Sequence, residues 1–212
     1  MNKTIIAAIA AVAFTSCAFA ADLPSKLSAP VITEDAPVAH LDSISAGYGL
    51  EFEPGEYGDV TKSTYKVSYA HDFGSGIFLG ADIGTNQVAD QGALTQTIEG
   101  TAKWAVPVGF GVTANIGGGI GERFTDGSNY PYYALRAGAD YHVNDNVTIN
   151  AISYQYRNTF DTANDWESHK LTTGATFALN KSYSVYANVS RSFDADYEAT
   201  SDAVTTGVTL KF

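Results

Sequence analysis

Residues 203–212 alternate strictly, with Val204, Thr206, Val208, Leu210 and Phe212 on one face and Ala203, Thr205, Gly207, Thr209 and Lys211 on the other. A period of two marks a strand with two unlike faces. The same pattern recurs along the whole chain from residue 41 onward, in segments of about ten residues, the length that crosses a bilayer as a tilted strand. Tyr65, Val67 and Tyr69 oppose Lys62, Thr64, Lys66 and Ser68; Ile77, Leu79, Ala81 and Ile83 oppose Phe78, Gly80, Asp82 and Gly84. Leu94, Ile98, Ala102 and Trp104 oppose Thr97, Glu99, Thr101 and Lys103, and Phe110, Val112, Ala114 and Ile116 begin the next apolar face. A chain made of such segments folds as a closed sheet, because each apolar face needs cover and each strand edge needs a partner. No apolar run of about 18 residues follows residue 20, so nothing in the rest of the chain reads as a membrane helix.

The segments predict an all-β fold, a transmembrane antiparallel up-and-down β-barrel of ten strands, with eight as the alternative if two segments are loop. In the seventh segment Val147 and Ile149 point one way, while Ile152, Tyr154 and Tyr156 continue in the other parity. One extra residue near Ala151, a β-bulge, restores the facing. Short turns at 73–76, 107–109, 144–146 and 180–181 alternate with connections near 53–59, 89–92, 124–130, 160–167 and 194–202 that read as longer and acidic, giving the barrel two unlike rims. Outward aromatics sort toward those rims, Phe73, Trp104, Phe110, Tyr141, Phe177, Tyr183 and Phe212 on the short-turn side and Phe52, Tyr65, Tyr133, Tyr156, Phe160 and Phe193 on the other. Two girdles around an apolar band fit a bilayer, and a soluble sandwich has no reason to build them.

Residues 1–20 carry Lys3, an apolar run from Ile5 to Phe14 and Ala18-Phe19-Ala20, the pattern of a secretory signal peptide cleaved before Ala21. Cys17 is the single cysteine of the chain and would leave with it. Residues 21–40 hold Pro24, Pro30 and Pro37 without alternation, an extended periplasmic lead-in, so the barrel spans 41–212. The formal net charge is -11, which together with the absence of Lys/Arg runs argues against a nucleic-acid partner. Hydrophobic residues make up 45% and the mean hydropathy is -0.07, values compatible with a barrel because half of each strand faces a polar lumen.

The greasy-faced terminal strand ending on Phe212 resembles the C-terminal strand of bacterial outer-membrane β-barrels. Ala21-Asp22-Leu23-Pro24-Ser25-Lys26, followed by Ala29-Pro30-Val31, resembles the mature start of small alphaproteobacterial porin-family proteins. The resemblance implies a protein of the Gram-negative outer membrane, with both termini periplasmic. It also implies that Val208, Leu210 and Phe212 form the signal read by the barrel assembly machinery, and that outer-membrane lipid and lipopolysaccharide are its surroundings. No cofactor and no metal is expected.

Inward parity collects Glu51, Lys62, Lys66, Asp82, Glu99, Lys103, Arg123, Arg136, Asp140, His142, Arg157, Lys170 and Lys211. Hairpin registers bring Lys66 to Asp82, Glu51 to Lys62, and Glu99 beside Asp82, so Lys66, Asp82, Glu99, Lys103, Arg136 and Asp140 are the candidates for a lumen constriction. The plainer account of these charges is mutual neutralisation in a narrow interior. The functional one is a charge ring that decides which small solutes pass, with Asp82 and Glu99 favouring cations. Arg136 faces Gly117 to Gly119, a stretch that either makes room for its guanidinium or leaves space for water. His169, near Asp165 and Glu167, is the only rim group with the makings of catalysis, and a solvated surface histidine accounts for it, so no enzyme is expected. The omptin outer-membrane proteases also have ten strands but larger chains, and no acidic pair with histidine on facing loops matches them here. A small porin-like or envelope-structural role leads, with a surface adhesin or host- or phage-contact protein acting through acidic loops as the alternative.

Overall fold

The computed structural model describes residues 41–89, 94–161 and 166–212. The expected signal peptide and lead-in, residues 1–40, and Asp165 lie outside the described residues. Ten strands follow in order: β1 (Asp42–Glu53), β2 (Glu56–Asp72), β3 (Ile77–Val88), β4 (Leu94–Gly109), β5 (Val112–Thr125), β6 (Ser128–His142), β7 (Val147–Thr159), β8 (Ser168–Ala178), β9 (Tyr183–Phe193) and β10 (Ala199–Lys211). Each pairs antiparallel with its sequence neighbours, and β1 pairs with β10, which closes the barrel and removes every sheet edge. Asp42 and Phe212 exchange both backbone hydrogen bonds, at 2.8 and 2.9 Å, so the last residue is the final rung of the seam.

Facing follows the alternation. Ile44, Val67, Leu79, Ile83, Ile98, Ile116, Leu135, Ile152, Val189 and Val208 are all exposed, on the outside of the barrel. The buried apolar side chains among the described residues are only Phe52, Tyr132 and Ala134. A water-soluble domain of this size hides its large aliphatic residues in a core. Here the aliphatic residues are outside and the charges within, an inversion that suits hydrocarbon as the outer solvent.

The bulge expected near Ala151 is present. Ala139 pairs with Ile152 while Asp140 pairs with Asn150, and on the other side Asn150 pairs with Gly174 while Ser153 pairs with Thr172. Residue 151 is thus the extra one, and both apolar halves of β7 face outward.

Three expectations need correction. The connections at 53–59 and 124–130 are not long loops: β1 and β2 continue to a Pro54-Gly55 turn, and β5 and β6 to Asp126-Gly127. Gly55 and Gly127, with φ of 79° and 87°, supply the left-handed backbone that so short a hairpin requires. Phe110 is not a strand residue: β4 runs on to Gly109, and Phe110 forms the turn tip with φ of 52° and full exposure. Phe52 is not an exposed girdle residue: it keeps its register with Asp202 of β10 but is 2% exposed, covered by Tyr57 beside a register shift with β2 that the plain alternation does not anticipate.

Candidate functional site in the barrel lumen

The lumen is built by the inward residues of the paired strands, and its centre is Glu99. The Cα register places Asp82 opposite Glu99 and Glu99 opposite Gly121. Glu99 is 3% exposed, and a carboxylate so deep needs partners. Arg136 Nη2 lies 2.5 Å from Oε1, a charge contact without hydrogen-bond angles, and Arg157 Nη2 lies 3.5 Å from Oε2. Tyr132 donates its hydroxyl to Oε2 at 2.9 Å. The glycines of β5 make room for this arrangement. A Cβ at Gly119 would strike the Glu99 carboxylate, and one at Gly121 the Tyr132 ring. Those spaces therefore belong to Glu99 and Tyr132, and the Arg136 guanidinium turns to Glu99 and, through Nε, to Gln155 Oε1 at 3.2 Å.

Above the Glu99 group, toward the β7–β8 connection, Trp166 meets Tyr132 edge-on at 5.8 Å. The Arg123 guanidinium stacks over Trp166 at 4.3 Å, and Arg157 lies over Tyr132 at 4.8 Å. Stacking on π faces holds two guanidinium groups in the lumen where carboxylates are few. Tyr132 and Trp166 were not legible as site residues. Tyr132 has the inward parity of β6, which marks it for the interior, while Trp166 precedes its strand and carries no parity.

Below Glu99 lies a cavity of about 370 Å³ whose lining includes Lys66, Asp82, Lys103, Arg136 and Asp140. The structure thus brings together five of the six candidate lumen residues around one space and places Glu99 on Arg136 at its edge. Lys66 pairs with Asp82 at 2.8 Å, and Asn115 donates to Asp140 at 2.7 Å. Lys103 sits 4.4 Å over the Phe78 ring. Lys66 keeps 48% of its side chain exposed while facing inward, so the lumen around it is open rather than filled by packed side chains. Nearer the Pro54-Gly55 rim, Lys62 pairs with Glu51 at 2.9 Å.

The histidines separate. His142 contacts Thr113 and Thr148 near a short turn, and His71 contacts Asp42. His169 is not the solvated surface group expected: it is 4% exposed, 2.6 Å from the Tyr154 hydroxyl and stacked on Tyr197. Its outward parity beside Tyr154 and Tyr156 makes it part of the aromatic collar. On the same rim Arg191 grips Asp202 at 2.7 and 2.8 Å, and Asp202 also accepts from Gly55 N at 3.0 Å, tying the β1–β2 turn to the seam.

A closed ten-strand meander with an apolar exterior and a charged interior has the architecture of outer-membrane β-barrels. No family model matches the chain, and no curated protein matches it in sequence. Solved structures match it in fold. An outer-membrane channel from Pseudomonas putida F1 superposes with a TM-score of 0.55 at 9% identity, over 87% of this chain and 100% of that one. The KdgM porin, solved with disordered oligogalacturonate, gives 0.47 at 13% identity over 80% and 99%. OmpT of Vibrio cholerae gives 0.40 at 12% over 71% of this chain, which spans only 56% of that protein's length. At 9% identity, what the Pseudomonas channel shares with this chain is the fold.

Proposed function

We propose that the chain is an integral β-barrel of the Gram-negative outer membrane with a porin-like role, passing small solutes slowly through a narrow charged lumen. The observation that carries this is the inversion of burial, with aliphatic side chains outside and ion pairs around an open cavity inside. Eight-stranded barrels have an interior about filled by side chains, and ten strands widen it only slightly. Glu99, Arg136 and the Tyr132–Trp166 pair narrow it further, so conductance is low. The orientation that goes with this reading sets both termini and the short turns in the periplasm, after removal of residues 1–20. Residues 21–40 form the periplasmic lead-in, β10 with Val208, Leu210 and Phe212 is the segment read by the assembly machinery, and lipopolysaccharide surrounds the other rim. The alphaproteobacterial lineage rests on the residues at 21–31. The contact role through acidic loops ranks below it, since two of the five outer connections are two-residue turns that offer little surface.

The test is the folded protein itself. Its gel mobility should change on boiling, and in planar bilayers it should give small, resolvable conductance steps. Identical mobility before and after boiling would contradict the barrel, and steps as large as those of general porins would contradict the narrow lumen.

A further inference from the structure

Lys170 is an inward residue of β8, opposite Gln155 and Ser192 in the register. Among the described residues it makes no hydrogen bond and no ion pair, although Glu51, Arg157, Lys66 and Lys62 all lie within electrostatic reach of it. Among the described residues, the acids in this half of the lumen are already taken. Glu51 is held by Lys62, Asp82 by Lys66, and Glu99 is shared by Arg136 and Arg157. Among the described residues, that leaves Lys170 and Arg123 with no carboxylate of their own. Among the described residues Arg123 stacks on the Trp166 ring, and the Nε atoms of Arg123 and Arg157 are buried without a hydrogen-bond acceptor. Although the chain's net charge is -11, the described bases in this part of the interior therefore outnumber the described acids and keep unsatisfied donors.

From this arrangement we infer that the rim-side half of the lumen is a binding site for small oxyanionic solutes, carboxylates or phosphates, seated on Lys170, Arg123 and Arg157 beside Trp166. Guanidinium forks and ammonium groups are the donors that such anions require, and cations in a low-dielectric cleft concentrate anions around themselves. Asp82 and Glu99, expected from the sequence to favour cations, are neutralised by the bases beside them. Selectivity passes to the surplus bases. The inference deepens the porin-like reading and rests on it.

Trp166 reports on the site directly. The chain has two tryptophans, and Trp104 is on the lipid face, so Trp104→Phe leaves Trp166 as the sole emitter. With the full barrel folded in zwitterionic micelles, iodide should quench Trp166 about threefold more effectively, relative to neutral acrylamide, than it quenches N-acetyltryptophanamide. Lys170→Gln should reduce that excess and Lys170→Glu should abolish it. If the Lys170 variants do not fold by the gel-mobility criterion, Lys62→Gln, whose side chain is 36% exposed, should still lower it. Sodium succinate or sodium phosphate, compared with sodium chloride at equal ionic strength, should protect Trp166, and which one protects identifies the class of solute. A folded barrel with no iodide excess, with an excess indifferent to these variants, or with protection by neither anion overturns the inference. The barrel and its conductance stand or fall separately, by boiling and by bilayer recording.

Discussion

Glu99 concentrates the chemistry of the lumen in one side chain. It is nearly inaccessible, touches two arginines and a tyrosine, and lies on the glycines of β5. Removing one partner of a buried charge group leaves the others uncompensated, so Glu99→Gln should cost about 3 kcal/mol. Reversible urea unfolding in phospholipid bilayers, followed by tryptophan emission, measures it, and an unchanged midpoint would mean that solvent already screens the arginines. Tyr132→Phe deletes one hydrogen bond to a charged acceptor and keeps the ring under Arg157, so its cost should be smaller, about 1.5 kcal/mol by the same measurement. Of these residues Glu99, Arg136 and Arg157 were legible from parity alone. The role of Tyr132 was not, because a tyrosine at inward parity is equally compatible with filling space.

At the scale of the element, β10 carries the closure. Its register with β1 runs from Ser43 and Lys211 to Phe52 and Asp202, with Phe212 adding the last pair of backbone bonds to Asp42. Deleting Phe212 removes that rung as well as an exposed aromatic from the rim. In cells the variant should reach the outer membrane less and accumulate as protease-sensitive periplasmic chain, read by fractionation and trypsin digestion; normal insertion would show that the assembly signal lies elsewhere. The seam is also shaped by Tyr186 of β9, whose hydroxyl lies over Gly47 and Gly207, partners across β1 and β10. Gly207→Val would drive a branched side chain into that ring. It should lower the folded fraction in a refolding assay, and Tyr186→Ala in the same chain should restore part of it by removing the obstacle.

For the whole molecule, the deciding quantity is which solvent meets the outer wall. Leu135 lies mid-strand in β6, 57% exposed, whereas Phe110 lies at a turn tip. If hydrocarbon surrounds the wall, Leu135→Arg should cost about 2–4 kcal/mol in a bilayer, while Phe110→Arg should cost no more than about 1 kcal/mol. Unfolding in vesicles measures both, and equal small costs would place the barrel wall in water.

The period of two, sustained over segments of about ten residues, by itself determined the facing and the bulge at Ala151, and with the turns between them it pointed to ten antiparallel strands, eight being the alternative. Each is a local consequence of which side of the backbone a residue occupies, and local pattern is what a sequence displays. Pairs such as Lys66–Asp82 and Glu51–Lys62 were equally readable, because a hairpin turn sets the register of its own two strands. Where strands outlast their alternation the sequence misled: the turns at Pro54-Gly55 and Asp126-Gly127 lie in stretches whose acidic composition reads as loop, and backbone pairing holds them as strand. Only the tertiary structure decided what meets across the lumen. Glu99 of β4 reaches Arg157 of β7, Trp166 stacks on Arg123, and Lys170 is left among other bases. Such contacts depend on barrel closure, which sets distances between strands that are not neighbours, and no spacing along the chain encodes those distances.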